Sequence, residues 1–251
     1  MTNIKISIII ATYNADKTLS EALNSVLNQT YQDWECIIVD GASRDNTINI
    51  VKEYIQKDTR FRYISEPDKG IYDAFNKGWK MATGKWIYYL GADDTLVPNG
   101  LYKLMCNKNI ENYDVIYGSI KLKWPNGTEK KAKNHGYKSL PYKMLASHQA
   151  IVTKRSVIEY IGGFDINLKI IGDKDLYIRI WLTQRFIFKE FKDITIALFS
   201  VGGVSSNVHK MLKENIYVGK KNNLGTHYII IQYIRVIYRH IKNILRPKYS
   251  Y

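Results

Sequence analysis

The 251-residue chain reads as an α/β protein built on a mostly parallel sheet, on three observations. Its first half alternates short apolar runs with amphipathic stretches, the order expected when helices cross between parallel strands. The apolar runs, residues 6–11, 34–39 and 86–90, are continuous, as in strands covered on both faces. Asp40, Asp68 and the pair Asp93-Asp94 follow the second, third and fourth strands, and so fall on the carboxyl edge where open α/β sheets bind ligands.

Residues 6–11 form the first strand, with Thr12-Tyr13-Asn14 as its outgoing loop. A helix follows over 18–27, then the strand 34–39 with Asp40 at its end. Ser43-Arg44-Asp45 starts a helix running to about residue 55, and 61–64 is the third strand. Pro67-Asp68 and Gly70 punctuate the chain as a loop. Ile71, Ala74, Phe75, Gly78 and Trp79 then recur at helical spacing, so that one face lies on the sheet. Gly84 is a plausible left-handed helix stop. The aromatic run 86–90 is a buried strand.

Later elements are a helix over 97–106, with Pro98 tolerated in its first turn, a strand at 114–117, and a hairpin of 119–124 with 129–133. Asn126-Gly127 supplies the turn. The sheet thus becomes mixed. After a short strand at 151–153, Leu176, Ile178, Ile180 and Trp181 mark an amphipathic helix that starts at Asp173. Residues 187–188 and 194–200 finish the sheet. Gly202-Gly203-Val204-Ser205-Ser206 is either a lid over a bound ligand or an ordinary linker. The division is a domain over 1–205 and a basic amphipathic helical tail over 206–251.

Hydrophobic content of 45% and charged content of 24% are those of an ordinary globular protein. Cys36 and Cys106 show neither metal-ligand spacing nor a disulfide framework, which suits a reducing compartment. No secretory signal is visible, and residues 6–11 are too short to span a membrane. The formal net charge of +14 is concentrated at one end: residues 208–251 hold nine Lys and Arg against a single acid, Glu214. No nucleic-acid-binding motif accompanies this charge, so an anionic surface is the better reading. In 228–245, Ile230, Ile234, Ile237, Ile241 and Ile244 form one stripe and Arg235, Arg239, Lys242 and Arg246 another. Such a helix lies in a membrane interface, or packs on the domain or on a second copy of the chain as a homodimer.

Adjacent carboxylates at a strand end either cap a following helix or hold a hard divalent cation that prefers oxygen ligands. The spacing alone leaves both open. The order Ile8-Ile9-Ile10-Ala11-Thr12-Tyr13-Asn14, Val39-Asp40-Gly41-Ala42-Ser43-Arg44-Asp45, Asp68-Lys69-Gly70-Ile71-Tyr72-Asp73-Ala74-Phe75-Asn76-Lys77-Gly78 and Ala92-Asp93-Asp94 resembles the inverting family 2 glycosyltransferases of GT-A fold. Bacterial surface-polysaccharide enzymes are among them.

The resemblance implies transfer of a sugar from a nucleotide sugar, a UDP-sugar by preference, to a hydroxyl of a glycan or polyprenyl-linked glycan. Nucleotide-sugar contacts would come from Ala11, Thr12, Tyr13, Asn14, Asp40, Ser43, Asp68, Lys69, Gly70 and Asp93. Asp73 and Asn76 would join them unless they are plain helix polarity, and Asp40 would accept from base or ribose unless it caps the 43–55 helix. Mn²⁺ or Mg²⁺ would be held chiefly by Asp94, with Asp93 assisting. His148 and Gln149 would line the acceptor side, and Asp173 at a helix start would be the general base, staying ionised beside the free amides. Gly172 departs from the family's usual Glu before that Asp. Asp175 is the rival base, but its spacing to Arg179 suits a helical ion pair. A cytoplasmic place at the inner face of the membrane follows from the same resemblance. Two other classes compete: a sugar-1-phosphate nucleotidyltransferase, which would want a Gly-rich phosphate loop where Ala11-Thr12-Tyr13-Asn14 stands, and a non-catalytic binder of anionic surfaces.

Overall fold

A computed structural model describes residues 5–201 and 208–245. The first half is β1 (Ile6–Thr12), α1 (Leu19–Leu27), β2 (Trp34–Asp40), α2 (Thr47–Lys57), β3 (Phe61–Ser65), α3 (Ile71–Met81) and β4 (Trp86–Gly91). These strands lie parallel in the order β3-β2-β1-β4, with Thr12 opposite Asp40, Asp40 opposite Ser65, and Ala11 opposite Gly91. That register brings their carboxyl ends to one edge. Ile8, Ile9, Ile10, Ile37 and Ile38 are all buried, which explains the unbroken apolar runs.

The second half adds β5 (Thr95–Leu96), α4 (Gly100–Met105), β6 (Val115–Lys123), β7 (Glu129–Lys131), β8 (Ile151–Lys154), α5 (Arg155–Ile161), α6 (Gly172–Leu182), β9 (Phe188–Ser200), α7 (Val208–Lys221) and α8 (Gly225–Leu245). Strand β8 pairs antiparallel with β4 and β6, and β9 runs parallel to β6 and antiparallel to β5. The sheet is therefore mixed, as the sequence predicts. The β6–β7 hairpin turns through residues 124–128.

Several boundaries differ from expectation for identifiable reasons. Helix α2 starts at Thr47 and not Ser43, because residues 41–46 form a loop with Ala42 at φ 61°. Residues 95–96 pair with β9, and Val97 donates its amide to Ile196, so α4 starts only at Gly100. The expected break at Gly118 is a bulge against β9, and residues 188–200 form one strand. Gly84 is not a left-handed stop; α3 ends at Met81 with an extended Ala82. Its missing side chain instead admits Ser7, whose Oγ would lie 2.6 Å from a Cβ there.

Helix α6 departs most from its expected amphipathic form. Its charged side is buried as well as its apolar one: Lys174 and Asp175 are buried along with Leu176, Ile178 and Ile180. Asn222 Nδ2 and Lys221 Nζ donate to Asp175 at 2.9 and 3.1 Å. Helix α8 packs on the body through Tyr228, Gln232 and Val236, all buried. Ile230, Ile234 and Ile237 remain exposed, while Arg235 is half-buried and donates to the Tyr142 carbonyl. The apolar stripe thus faces outward and part of the basic stripe faces the body. The 202–206 loop and the side chains of Arg239, Ile241, Lys242, Ile244 and Arg246 lie outside the described residues.

Candidate functional site

At the carboxyl edge the loops after β1 and β2 are tied together around Asp40. Its Oδ1 accepts from Thr12 Oγ1 at 3.1 Å and from the Ser43 hydroxyl. Its Oδ2 accepts the Ser43 amide at 2.9 Å and Ser65 Oγ at 2.7 Å. Asp40 is fully buried and organises the loops that form the crevice; it does not cap α2, which starts further on. Asn14, at φ 49°, accepts the Arg44 amide and donates its own amide to Ser43 Oγ. Tyr13 stands 64% exposed at the rim. Ala11 lies half-buried at the end of β1.

Asp68 is the carboxylate left open beside these loops. Oδ1 accepts the Gly70 amide at 2.8 Å, and Oδ2 lies over Gly41, 2.6 Å from where a Cβ would stand. Exposed Lys69 extends from the same turn. Asp73 accepts the Lys69 amide at 2.9 Å and so closes the start of α3. Asn76 binds both backbone groups of Phe164, at 2.9 and 2.8 Å. Asp73 thus has a role at the start of α3, and Asn76 one in packing α3 against the segment at Phe164.

The aspartate pair divides its work. Asp94 is buried, with Oδ2 accepting from Gln149 Nε2 at 2.8 Å and Oδ1 accepting the Ser200 amide at 3.0 Å. Asp93 is exposed. Burial, and then the charge of Asp93, push the Asp94 pKa up to about 7. Neither residue caps α4, whose N-cap is Asn99. Among the described residues no three His, Cys, Asp or Glu gather to hold a metal on their own. An exposed carboxylate backed by a second one does fit a hard cation that takes its other ligands from a diphosphate and water. Asp93 is the more exposed of the two, and Asp94 the one held by Gln149 and Ser200.

The 148–150 turn lies between this edge and α6. While Gln149 holds Asp94, the His148 ring stacks on Tyr89 with centroids 5.2 Å apart and packs edge-on to Phe75, Phe164 and Tyr177. Burial lowers the His148 pKa, and the Asp173 carboxylate opposes that shift. His148 is thus held toward the neutral form. Its Nε2 and Tyr89 Oη are buried without a hydrogen-bond partner among the described residues.

Asp173 sits half-buried in the first turn of α6. Tyr72 Oη lies 3.4 Å from its Oδ1 and donates to the Ile170 carbonyl at 3.0 Å. A Cβ on Gly172 would fall 2.6 Å from the Tyr72 ring, so the glycine that breaks the family pattern is the one this tyrosine requires. Asp175 is fully buried and bound by Arg179 Nε at 2.8 Å, Lys221 and Asn222. That geometry removes it as a rival base.

Glu214 of α7 is a site residue whose role the sequence does not predict. Its carboxylate accepts the amides of Lys169, Ile170 and Ile171 at 2.9, 2.9 and 3.0 Å, fixing the segment that leads into Asp173. A sequence signal existed: Glu214 is the one acid among nine cations in residues 208–251.

Residues 7–168 match the model of the family described as glycosyl transferase family 2. The chain is 29% identical over 205 residues to a PGL/p-HBAD biosynthesis glycosyltransferase of Mycobacterium tuberculosis, covering 80% of this chain and 79% of that one. It is 28% identical over 244 residues to the Escherichia coli UDP-Glc:alpha-D-GlcNAc-diphosphoundecaprenol beta-1,3-glucosyltransferase WfgD, covering 91% and 92%. In fold it is similar to S. aureus TarS in complex with UDP-GlcNAc (TM-score 0.68, 20% identity, 84% of this chain). It is likewise similar to the mannosyltransferase PcManGT from Pyrobaculum calidifontis in complex with GDP-Man and Mn²⁺ (TM-score 0.63, 19% identity, 84% of this chain). It spans 66% and 60% of the lengths of those two structures. A parallel sheet with its loops and an aspartate pair gathered at one edge, a mixed second half of the same fold, and a family match over most of the chain agree: the chain belongs to glycosyl transferase family 2.

Proposed function

We propose that this glycosyltransferase moves a sugar from a UDP-sugar to a hydroxyl of a bacterial surface glycan or its lipid-linked precursor, with inversion. The observation that carries the reading is that the 148–150 turn holds Asp94 through Gln149 and packs His148 against Tyr177 of α6, where the Asp173 charge acts on the imidazole. The loops organised by Asp40 form the nucleoside crevice, with Tyr13 at its rim, Asp68 as the open acceptor and Lys69 available to the diphosphate. The TarS complex with UDP-GlcNAc and the UDP-Glc-dependent WfgD support a uridine donor.

Asp93, with Asp94 behind it, would hold Mn²⁺ or Mg²⁺, which when bound would neutralise charge on the departing diphosphate. Gln149 and the Ser200 amide orient Asp94. Asp173 takes the proton from the acceptor hydroxyl as that oxygen attacks the anomeric carbon from the face opposite the leaving group. Tyr72 and Glu214 hold Asp173 and its segment in place, and neutral His148 lines the acceptor side.

No helix among the described residues is long and apolar enough to cross a membrane. The exposed Ile230, Ile234 and Ile237 stripe instead suits contact with a membrane surface. Thermal melts with a panel of nucleotide sugars and Mn²⁺ test the donor reading, since a bound donor raises Tm by mass action. A UDP-sugar should stabilise the wild type, and Asp93→Ala should lose the metal-dependent part. Stabilisation by no nucleotide sugar would overturn it.

A further inference from the structure

A cavity of about 810 Å³ opens beside Asp173, between residues 142–144, the start of α6 and the two last helices. Met144, Ile170, Ile171, Met211, Ile234 and Val236 give it apolar walls. Three cations, Lys143, Lys174 and Arg235, interrupt them, beside one acid, Asp173. Arg235 Nη1 donates to the Tyr142 carbonyl at 2.6 Å, and Lys174 Nζ donates to Asn215 Oδ1 and Tyr228 Oη, each at 3.1 Å. Lys174 is only 9% exposed. Among the described residues neither Lys174 nor Arg235 has a carboxylate at ion-pair distance.

Burying a positive charge without a counter-charge is costly, and neighbouring groups register the resulting field. Burial, and then Arg235, lower the Lys174 pKa to about 7, against an opposing pull from Asp173. Burial, then Lys143, Arg235 and Lys133, lower that of His135, another wall residue. The cations of the wall outnumber its one carboxylate, Asp173, so the cavity keeps an excess of positive charge that suits an anion carrying more than one charge. The apolar walls call for hydrocarbon and continue outward into the exposed Ile234 and Tyr238.

We propose that this cavity binds the anchor of the acceptor, an amphiphile whose diphosphate lies between Arg235 and Lys174 and whose apolar chain lies along Ile170, Met211 and Ile234. The inference rests on Asp173 as the base, because the anchor delivers the acceptor hydroxyl to that carboxylate. It also gives α7 and α8 a direct role, since their side chains build one wall of the site.

Geranylgeranyl diphosphate, inorganic pyrophosphate and geranylgeraniol, titrated separately into the full chain, distinguish the components. The diphosphate lipid should bind at least about tenfold more tightly than either half alone. Arg235→Gln should weaken that binding about tenfold or more, and Arg235→Lys should retain most of it. Met144→Glu, which leaves Lys174 and Arg235 in place and adds a negative charge to the wall, should weaken it as well. The proposal is overturned if pyrophosphate binds as tightly as the lipid diphosphate, if Met144→Glu and a folded Arg235→Gln both bind it like wild type, or if the wild type binds none of the three. UDP-sugar stabilisation of the same wild-type sample separates the two readings. If the donor binds and the lipid does not, only the anchor site falls; if the donor also fails, the enzyme reading falls with it.

Discussion

Glu214 and Ile171 are joined by a hydrogen bond of 3.0 Å from the Ile171 amide to the Glu214 carboxylate, two residues before Asp173. The same carboxylate takes the amides of Lys169 and Ile170, so the last helices fix the entry to α6. Glu214→Gln replaces one of the two acceptor oxygens with a donor. It should lower kcat by about ten- to a hundredfold through misplacement of Asp173, with the Kd for a UDP-sugar unchanged. Glu214→Asp should recover part of the loss. Steady-state kinetics beside donor titration checks this; a rise in donor Kd at constant kcat would assign Glu214 to the donor side instead.

Gln149 holds Asp94 Oδ2 at 2.8 Å. Residues that orient metal-binding carboxylates typically matter about ten- to a hundredfold in metal affinity, so Gln149→Ala should raise the Mn²⁺ concentration needed for half-maximal activity by that factor. A Mn²⁺ titration at saturating donor reads it. An unchanged titration midpoint would mean that Asp94 has no part in the metal site.

Glu35 lies at the other end of the sheet and serves stability. Burial pushes its pKa up, but hydrogen bonds from Ser7, Thr83 and Arg62 outweigh it and bring the value down from 4.5 to about 2. A carboxylate with a depressed pKa contributes stability in full above its unfolded value, and loses it as pH falls through the folded one. The window therefore runs from about 4.5 down to about 2, and the contribution is roughly 3 kcal/mol. Urea midpoints at pH 7 and pH 3 should fall further for wild type than for Glu35→Gln. Equal falls would contradict the linkage.

Ile230 and Ile237 are 57% and 39% exposed on α8. If this stripe meets a bilayer, the wild type should co-sediment with vesicles containing anionic lipid, and the pair of substitutions Ile230→Asp and Ile237→Asp should abolish it. No vesicle binding, together with a wild-type dimer that the two substitutions dissociate, would reassign the stripe to a second copy of the chain.

The parallel half was legible because its signals are local. Continuous apolar runs, loop residues at 67–70 and a helical repeat from Ile71 to Trp79 needed no distant partner. Thr95-Leu96 could not be read that way, since its strand exists only by pairing with Ala197 and Leu198. Helix α6 misled for the same reason: the charges of Asp175 and Lys174 suggest an open face, and their partners lie on α7 and α8. At the site, sequence identified the acidic residues but not their division of labour. Asp40 is buried by Thr12, Ser43 and Ser65, and Asp94 by Gln149 and Ser200, through contacts that only the assembled edge creates. The tail showed its composition and concealed its contacts.

Single-turnover transfer by Asp173→Asn tests the central claim most directly. The variant keeps the size of the side chain and removes its basicity. The account predicts a fall of about a hundredfold or more in the transfer rate, with UDP-sugar and Mn²⁺ binding as in wild type. A wild-type transfer rate in a variant that binds donor normally would contradict it.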